Sequence, residues 1–279
     1  MKTIQKTAIA LAASGLFATA AFAQTAPAAA PDAPEVSPIT ANVTVTNDYR
    51  YRGITQTNYQ PAIQGGFDYA HESGLYIGNW NSTINWVSNA TSNGVQAPIE
   101  MDFYGGFKKE LIGEGFASDI GVLQYYYNTT GGNYNNALVN PNTTEIYAAQ
   151  NFTFGPVTGF VKVNYALTNI FGAPNSSGSF YPDLTANYDT GIWGVSLNGH
   201  VGYQYIAGQP NTPTGWSPTP NNISYTDWKL GATKDFGGGL SLSAAYISTN
   251  ANPVWWNTYT KGGTSAGRPG AVVSLTKTF

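Results

Sequence analysis

The sequence offers few groups for covalent chemistry. It holds no cysteine and two histidines, so thiolate nucleophiles, thiolate metal sites and a disulfide framework are excluded. His71 lies in a His-Glu-Ser-Gly turn, and His200 follows Ser196 and Asn198 at alternate positions. A Ser/His/Asn set acting on lipid would have to face lipid, whereas His200 shares its parity with polar neighbours and reads as a lining residue. Glu100 and Asp102 share a face, but acids in any polar interior do so and no second signal for hydrolysis accompanies them. Asp235-Phe236-Gly237 spells a kinase tripeptide without a glycine-rich or catalytic loop, so it is turn chemistry. No catalytic set, metal or cofactor is expected.

What remains is a pattern of ionisable residues at alternate positions. Asp48, Arg50 and Arg52 alternate opposite Val43, Val45 and Tyr49, and similar placement gives Asp68, Glu100, Asp102, Lys108, Asp119, Glu145, Lys162, Asp183, Asp227 and Lys229. A period of two belongs to strands with one wet and one greasy face. Residues 192–205 illustrate it: Trp193, Val195, Leu197, Val201, Tyr203 and Tyr205 hold one parity, while Ser196, Asn198, His200 and Gln204 hold the other. If the wet faces line one lumen, its charge is mixed with acids in excess. Such a conduit weakly prefers cations or neutral solutes. The competing reading is a narrow barrel plugged by its own ion pairs.

The elements that must position these residues follow from spacing. Short connections at 71–74, 109–115, 154–156, 188–191 and 235–239 alternate with longer Asn/Gly/Thr/Ser/Pro-rich ones at about 52–60, 85–98, 128–142, 168–179, 206–222 and 250–269. Between them lie strands at approximately 41–51, 61–70, 75–84, 99–108, 116–127, 143–153, 157–167, 180–188, 192–205, 223–234, 240–249 and 270–279. Each approaches the roughly 9–11 residues a tilted strand uses to cross a bilayer. The expected fold is therefore all-β: a closed antiparallel transmembrane β-barrel of about twelve strands, with short periplasmic turns and long external loops. Aromatics near strand ends (Tyr49, Tyr51, Trp80, Phe107, Tyr126, Tyr165, Trp193, Tyr205, Trp228) suit interfacial girdles. Residues 75–84 resist the simple rule, because Leu75 and Ile77 share parity with Asn79 and Asn81, and a bulge is one way to reconcile them.

Composition agrees. Charged residues make up 10% and aromatic residues 14% of the chain, against about 25% charged in a typical soluble domain. A formal net charge of −3 disfavours nucleic-acid binding. Residues 1–23 read as a signal peptide with Lys2 and Lys6 at its start, an apolar stretch, and Ala21-Phe22-Ala23 at the cleavage site. Residues 24–38 are an Ala/Pro-rich periplasmic lead-in, leaving 39–279 for the barrel.

The opening ANVTVTNDYRYRGITQTNYQPAIQGGFDYAHESGLYIGNW resembles the first three strands of the TorF-like porins, a bacterial outer-membrane family also filed as proteins of unknown function. IEMDFYGGFKKE, GVLQYYYN, LTANYDTGIWGVSLNGHVGYQ, SYTDWKLGATKDFGGG and VVSLTKTF continue the likeness. The resemblance implies an outer-membrane location and a porin role; it carries no established substrate or site residues. The last strand resembles the signal read by the barrel-assembly machinery, with Phe279 terminal and Leu275, Val273 and Ala271 at alternate positions. Lys277 breaks that apolar register, at little cost if it snorkels near the interface. The expected partners are outer-membrane lipid, the assembly machinery and small polar solutes. The expected function is passive diffusion of small polar solutes or ions, the alternative being a closed structural or surface-recognition barrel.

Overall fold

The computed structural model describes residues 37–91, 94–132, 139–208, 223–256 and 259–279. The expected signal peptide and most of the lead-in lie outside the described residues. In chain order the elements are β1 (Ile39–Thr46), β2 (Arg50–Tyr51), β3 (Ile54–Thr55), β4 (Ala62–Ala70), β5 (Leu75–Thr83), α1 (Trp86–Ala90), β6 (Ile99–Gly113), β7 (Phe116–Tyr127), β8 (Thr143–Phe154), β9 (Val157–Ala166), β10 (Phe180–Asp189), β11 (Val195–Gln204), β12 (Tyr225–Asp235), β13 (Leu240–Thr249), α2 (Pro253–Trp256) and β14 (Gly270–Thr278). Twelve of the strands form one closed barrel in which each pairs antiparallel with its chain neighbour and β1 closes on β14. β2 and β3 stand apart as a two-stranded hairpin.

Closure satisfies the backbone groups that an open sheet would leave at its edges. At the seam, Val43 pairs with Lys277 and Val45 with Leu275. The amide of Phe279 donates to the carbonyl of Ala41 at 2.8 Å. Where the β1 backbone turns away, the Asn47 side chain takes over, accepting from Val273 N at 2.7 Å and donating to the Ala271 carbonyl at 3.2 Å.

The two faces sort as the period of two dictates. Val45, Ile63, Phe67, Val161, Leu197, Leu230, Val273 and Leu275 are exposed on the outside, and polar partners on the other parity are buried. An apolar exterior around a polar interior is the reverse of a soluble sandwich and suits hydrocarbon. Lys277 lies at the short-turn end, where its Nζ donates to the Gly238 carbonyl and sits 5.4 Å from the Phe279 ring centroid. Among the described residues no helix is long and apolar enough to cross a membrane.

Four expectations need correction. Residues 109–113, expected in a short connection, continue β6, which pairs with β7 as far as Gly113 and Phe116 across a register shift between Glu110 and Gly113. The first strand ends at Thr46, so Asp48, Arg50 and Arg52 belong to the connection 47–61. Arg52 and Gly53 both have positive φ (45° and 77°), which makes the tight two-residue turn of the β2/β3 hairpin and reverses the chain. Tyr49 and Trp80 are not girdle residues: they sit inside, in edge-to-face contact at 5.4 Å, and Tyr51 packs inside against Tyr125 at 5.6 Å. Tyr126, Tyr165, Trp193 and Trp228 do face outward. Finally, β5 has no bulge; its register with β4 and β6 is continuous. Asn79 and Asn81 face outward, and Asn81 Nδ2 donates to Asn79 Oδ1 at 2.6 Å while Asn79 Nδ2 donates to the Asp102 carbonyl at 3.0 Å. Mutual pairing lets amides occupy an apolar face.

Candidate functional site

The barrel wall is shaped by tyrosines laid flat on glycines. Tyr181 of β10 lies over Gly202 of β11, and Tyr104 of β6 over Gly78 of β5; a methyl group at either glycine would collide with the ring. Only glycine permits so close an approach. Laid sideways, each ring brings its hydroxyl to an acid on another strand: Tyr181 donates to Asp227 at 2.9 Å and Tyr104 to Asp68 at 2.5 Å. Tyr76 likewise donates to Asp119 at 2.6 Å and also bonds Tyr147, over whose ring Lys162 Nζ sits at 3.8 Å. These inner tyrosines were not singled out from the sequence. Their signal was there, since Tyr104 shares its parity with Glu100 and Asp102 and glycines stand at matching inner positions.

Across the outer part of the lumen runs the connection 47–61. Its hairpin tip carries Arg52 to the far wall, where Nη2 meets Glu145 Oε2 at 2.7 Å and Nη1 donates to Gln204 Oε1 at 2.6 Å. The guanidinium also lies over the rings of Tyr181 at 4.3 Å and Tyr51 at 4.8 Å. Asn164 donates to the same Glu145 oxygen at 2.8 Å. Within the loop, Arg50 Nε bonds Asp48 Oδ2 at 2.5 Å, and Thr55 and Thr57 donate to Asp48 Oδ1 at 2.5 and 3.2 Å. Tyr49 and Tyr127 clasp Glu100 from two sides at 2.6 Å each. Burial, then the Glu100 and Asp102 carboxylates, push the Tyr49 hydroxyl well above the usual phenol range, so it remains a donor.

A second cluster centres on His200. Nδ1 is 2.9 Å from Asp183 and Nε2 is 3.0 Å from Asp227, with Thr185 and Tyr181 in hydrogen-bond reach of the same ring. Lys229 pairs with His200 in strand register and shares its inward parity. Lys108 and Asp119 face each other across β6 and β7. Asp102 is the exception: it is 0% exposed and neither carboxylate oxygen has a hydrogen-bond partner among the described residues.

The lining candidates read from the sequence thus lie on the inner side, Asp48, Arg50 and Arg52 on the inserted loop and the rest on β4 through β12. They do not form one ring. Toward the short-turn end β13, β14 and β1 present small side chains inward: Ser241, Ser243, Ser274, Thr276, Asn42 and Thr44. Hydroxyls there bond one another across the seam, Thr44 to Thr276 at 2.8 Å and Ser274 to Thr46 at 2.9 Å. One wall is charged and tyrosine-rich; the other is small and neutral. Among the described residues no group of three or more His, Asp or Glu side chains is arranged to hold a metal ion.

Residues 28–279 match the model of a family described as a bacterial protein of unknown function (Gcw_chp). A comparison with curated proteins finds no match. Among solved structures, the NanC porin is similar at a TM-score of 0.51 and 6% identity, over 86% of this chain and 98% of that one. The KdgM porin is similar at a TM-score of 0.49 and 4% identity, over 86% and 97%. At 6% identity the likeness to the NanC porin is one of fold alone.

Proposed function

The chain belongs to the Gcw_chp family of bacterial proteins of unknown function, and from that premise we propose that it is a porin-like outer-membrane channel for small polar solutes. The observation that carries this reading is the inversion of polarity: a closed wall, apolar outside, that encloses mixed charge and hydroxyls. The residues given above as lining candidates face the interior and set its charge, with acids in excess on one side and the Ser/Thr wall of β13, β14 and β1 on the other. The resemblance to TorF-like porins supports the same role. On this reading residues 1–23 are removed near Ala23, 24–38 lead into the barrel from the periplasm, and Ala271, Val273, Leu275 and Phe279 are the outward-facing signal for assembly. No covalent step is involved.

The test is electrical. Purified, refolded protein in a planar bilayer should give discrete conductance steps in several salts. Silence of the parent and of every loop-pin variant, across salts and voltages, would refute the channel.

A second reading, a closed barrel, has its own observation in favour: the inserted loop is pinned, and Leu123 and Asp102 beneath it are both 0% exposed. The two readings part on loop variants. A channel conducts when the pin is weakened, whereas a closed structural barrel stays silent in every variant.

A further inference from the structure

Water reaches the two halves of the lumen unequally. From the long-connection end of β6 the inward residues are Glu100, Asp102 and Tyr104, all buried, then Gly106 and Lys108, half-buried, then Glu110, exposed. On β8, which runs the same way, Thr143, Glu145 and Tyr147 are buried, Ala149 and Asn151 half-buried and Thr153 exposed. β7 runs the opposite way and its order is reversed: Ala117, Asp119 and Gly121 are half-buried, and Leu123, Tyr125 and Tyr127 are buried. Burial therefore follows depth in the barrel and not position along a strand. Across the lumen Ser241 and Ser243 of β13 are half-buried, whereas Ile247 is buried. Among these accessible groups, hydroxyls that bond a neighbour stay buried, as Thr276 does on Thr44 and Thr233 on Asn198.

Side-chain size explains the gradient. In the short-turn half many inward positions carry Gly, Ala, Ser or Asn, which are too short to meet across a twelve-stranded barrel. In the other half tyrosines extend inward, and the connection 47–61 fills what they leave. Its Tyr49 reaches Glu100 at 2.6 Å and its Arg52 reaches Glu145 at 2.7 Å, on two different parts of the wall.

We infer that the lumen is a blind vestibule, entered by polar solutes from the short-turn end and closed at its outer end by the docked loop to solutes larger than a small ion. A solute in the vestibule exchanges with the compartment at the short-turn end and crosses the barrel only when 47–61 leaves its dock. The closure is a regulatory device at the site already described and rests on the channel reading for its use. Its geometry is tested without current.

The chain has no cysteine, so a single introduced thiol reports one position. The experiment is alkylation of refolded full-length single-cysteine variants by iodoacetamide in micelles, where both ends of the barrel meet the reagent, followed by intact mass. Ser243→Cys should react within roughly ten-fold of Ser73→Cys, an exposed short-turn position. Ser82 is 1% exposed and pairs in register with Glu100, the residue that Tyr49 holds. Because a buried thiol reacts only through local opening, Ser82→Cys should be slower than Ser243→Cys by roughly a hundred-fold or more. Adding Tyr49→Phe/Arg52→Gln removes both anchors and should speed Ser82→Cys by roughly ten-fold or more, with Ser243→Cys unchanged. Heat-modifiable gel migration, unchanged from the parent, shows that each variant keeps its barrel; if the combined variant does not, Arg52→Gln alone takes its place with the same expectations. Equal rates at 82 and 243 in the parent, a Ser82→Cys rate that the loop variant leaves unchanged, or a Ser243→Cys rate that rises with it would overturn the closure. Current without this rate difference removes the vestibule and leaves the channel, whereas the rate difference with silence in every variant removes the channel and leaves the vestibule.

Discussion

Arg52 is the pin of the inserted loop, and Arg52→Gln should release it. The guanidinium makes two charge-assisted hydrogen bonds, at 2.7 Å to Glu145 and 2.6 Å to Gln204, and lies over two aromatic rings. Its side chain is 5% exposed and that of Glu145 is 2% exposed. Removing one member of a buried pair strands the other charge and costs about 3–5 kcal/mol. In the variant Glu145 keeps only Asn164 at 2.8 Å and Tyr125 at 3.3 Å. The cost falls on the docked loop, because an undocked loop exposes Glu145 to water in either protein. At about 1.4 kcal/mol per decade, the docked-to-undocked ratio drops by roughly two to three and a half powers of ten. The loop is not freed outright, since Tyr49 still holds Glu100 at 2.6 Å and Asn85 still holds the Thr57 carbonyl at 2.8 Å. The expected record in a planar bilayer is therefore the parent conductance interrupted by larger openings, on the order of a hundred-fold or more frequent than in the parent. Lys229→Gln, which also removes an inner positive charge but leaves the loop anchors in place, separates gating from charge: it should alter selectivity and not opening frequency. The double variant Arg52→Gln/Glu145→Gln should recover part of the lost stability, the mark of a coupled pair. If Arg52→Gln leaves both the current record and the unfolding midpoint unchanged, the pin is refuted.

Three further outcomes follow from the inner wall. Asp102 has no hydrogen bond to lose among the described residues, so Asp102→Asn should raise stability by about 1–3 kcal/mol, read as a higher midpoint in guanidinium unfolding; a lower midpoint would mean that the carboxylate has a partner in the membrane. Asp102→Asn combined with Asp119→Asn should reduce cation preference if the acid excess sets it, which reversal potentials in a salt gradient measure; unchanged potentials reject that assignment. Gly202→Ala places a methyl group in the Tyr181 ring and should destabilise the barrel by about 1–3 kcal/mol, with most of the loss recovered in Gly202→Ala/Tyr181→Ala; no recovery would show that the clash lies elsewhere.

The sequence by itself determined the barrel, because a strand's two faces are set by the parity of its side chains and by nothing beyond its own residues. Alternation over 192–205, short and long connections in turn, and the outward apolar register of Ala271, Val273 and Leu275 each appear in the structure, in β11, in the loop pattern and in β14, although β6 runs on to Gly113 through most of the connection expected at 109–115. Parity also placed the charges on one face without their partners. Which acid meets which base depends on the stagger of twelve strands around a closed wall, a non-local quantity that no window of residues contains. Thus Asp183 and Asp227, 44 positions apart in the chain, meet on His200. Only the tertiary structure decided that residues 47–61 leave the wall. Asp48, Arg50 and Arg52 continue the alternation of β1 in sequence, and period two cannot tell a strand that goes on from a hairpin that folds inward. What decides is the partners waiting across the lumen, Glu145 and Gln204 for Arg52 and Glu100 for Tyr49, whose bonds offset the cost of taking polar backbone and charge out of water. The same holds for Asn79 and Asn81, whose outward parity is tolerable because each finds the other.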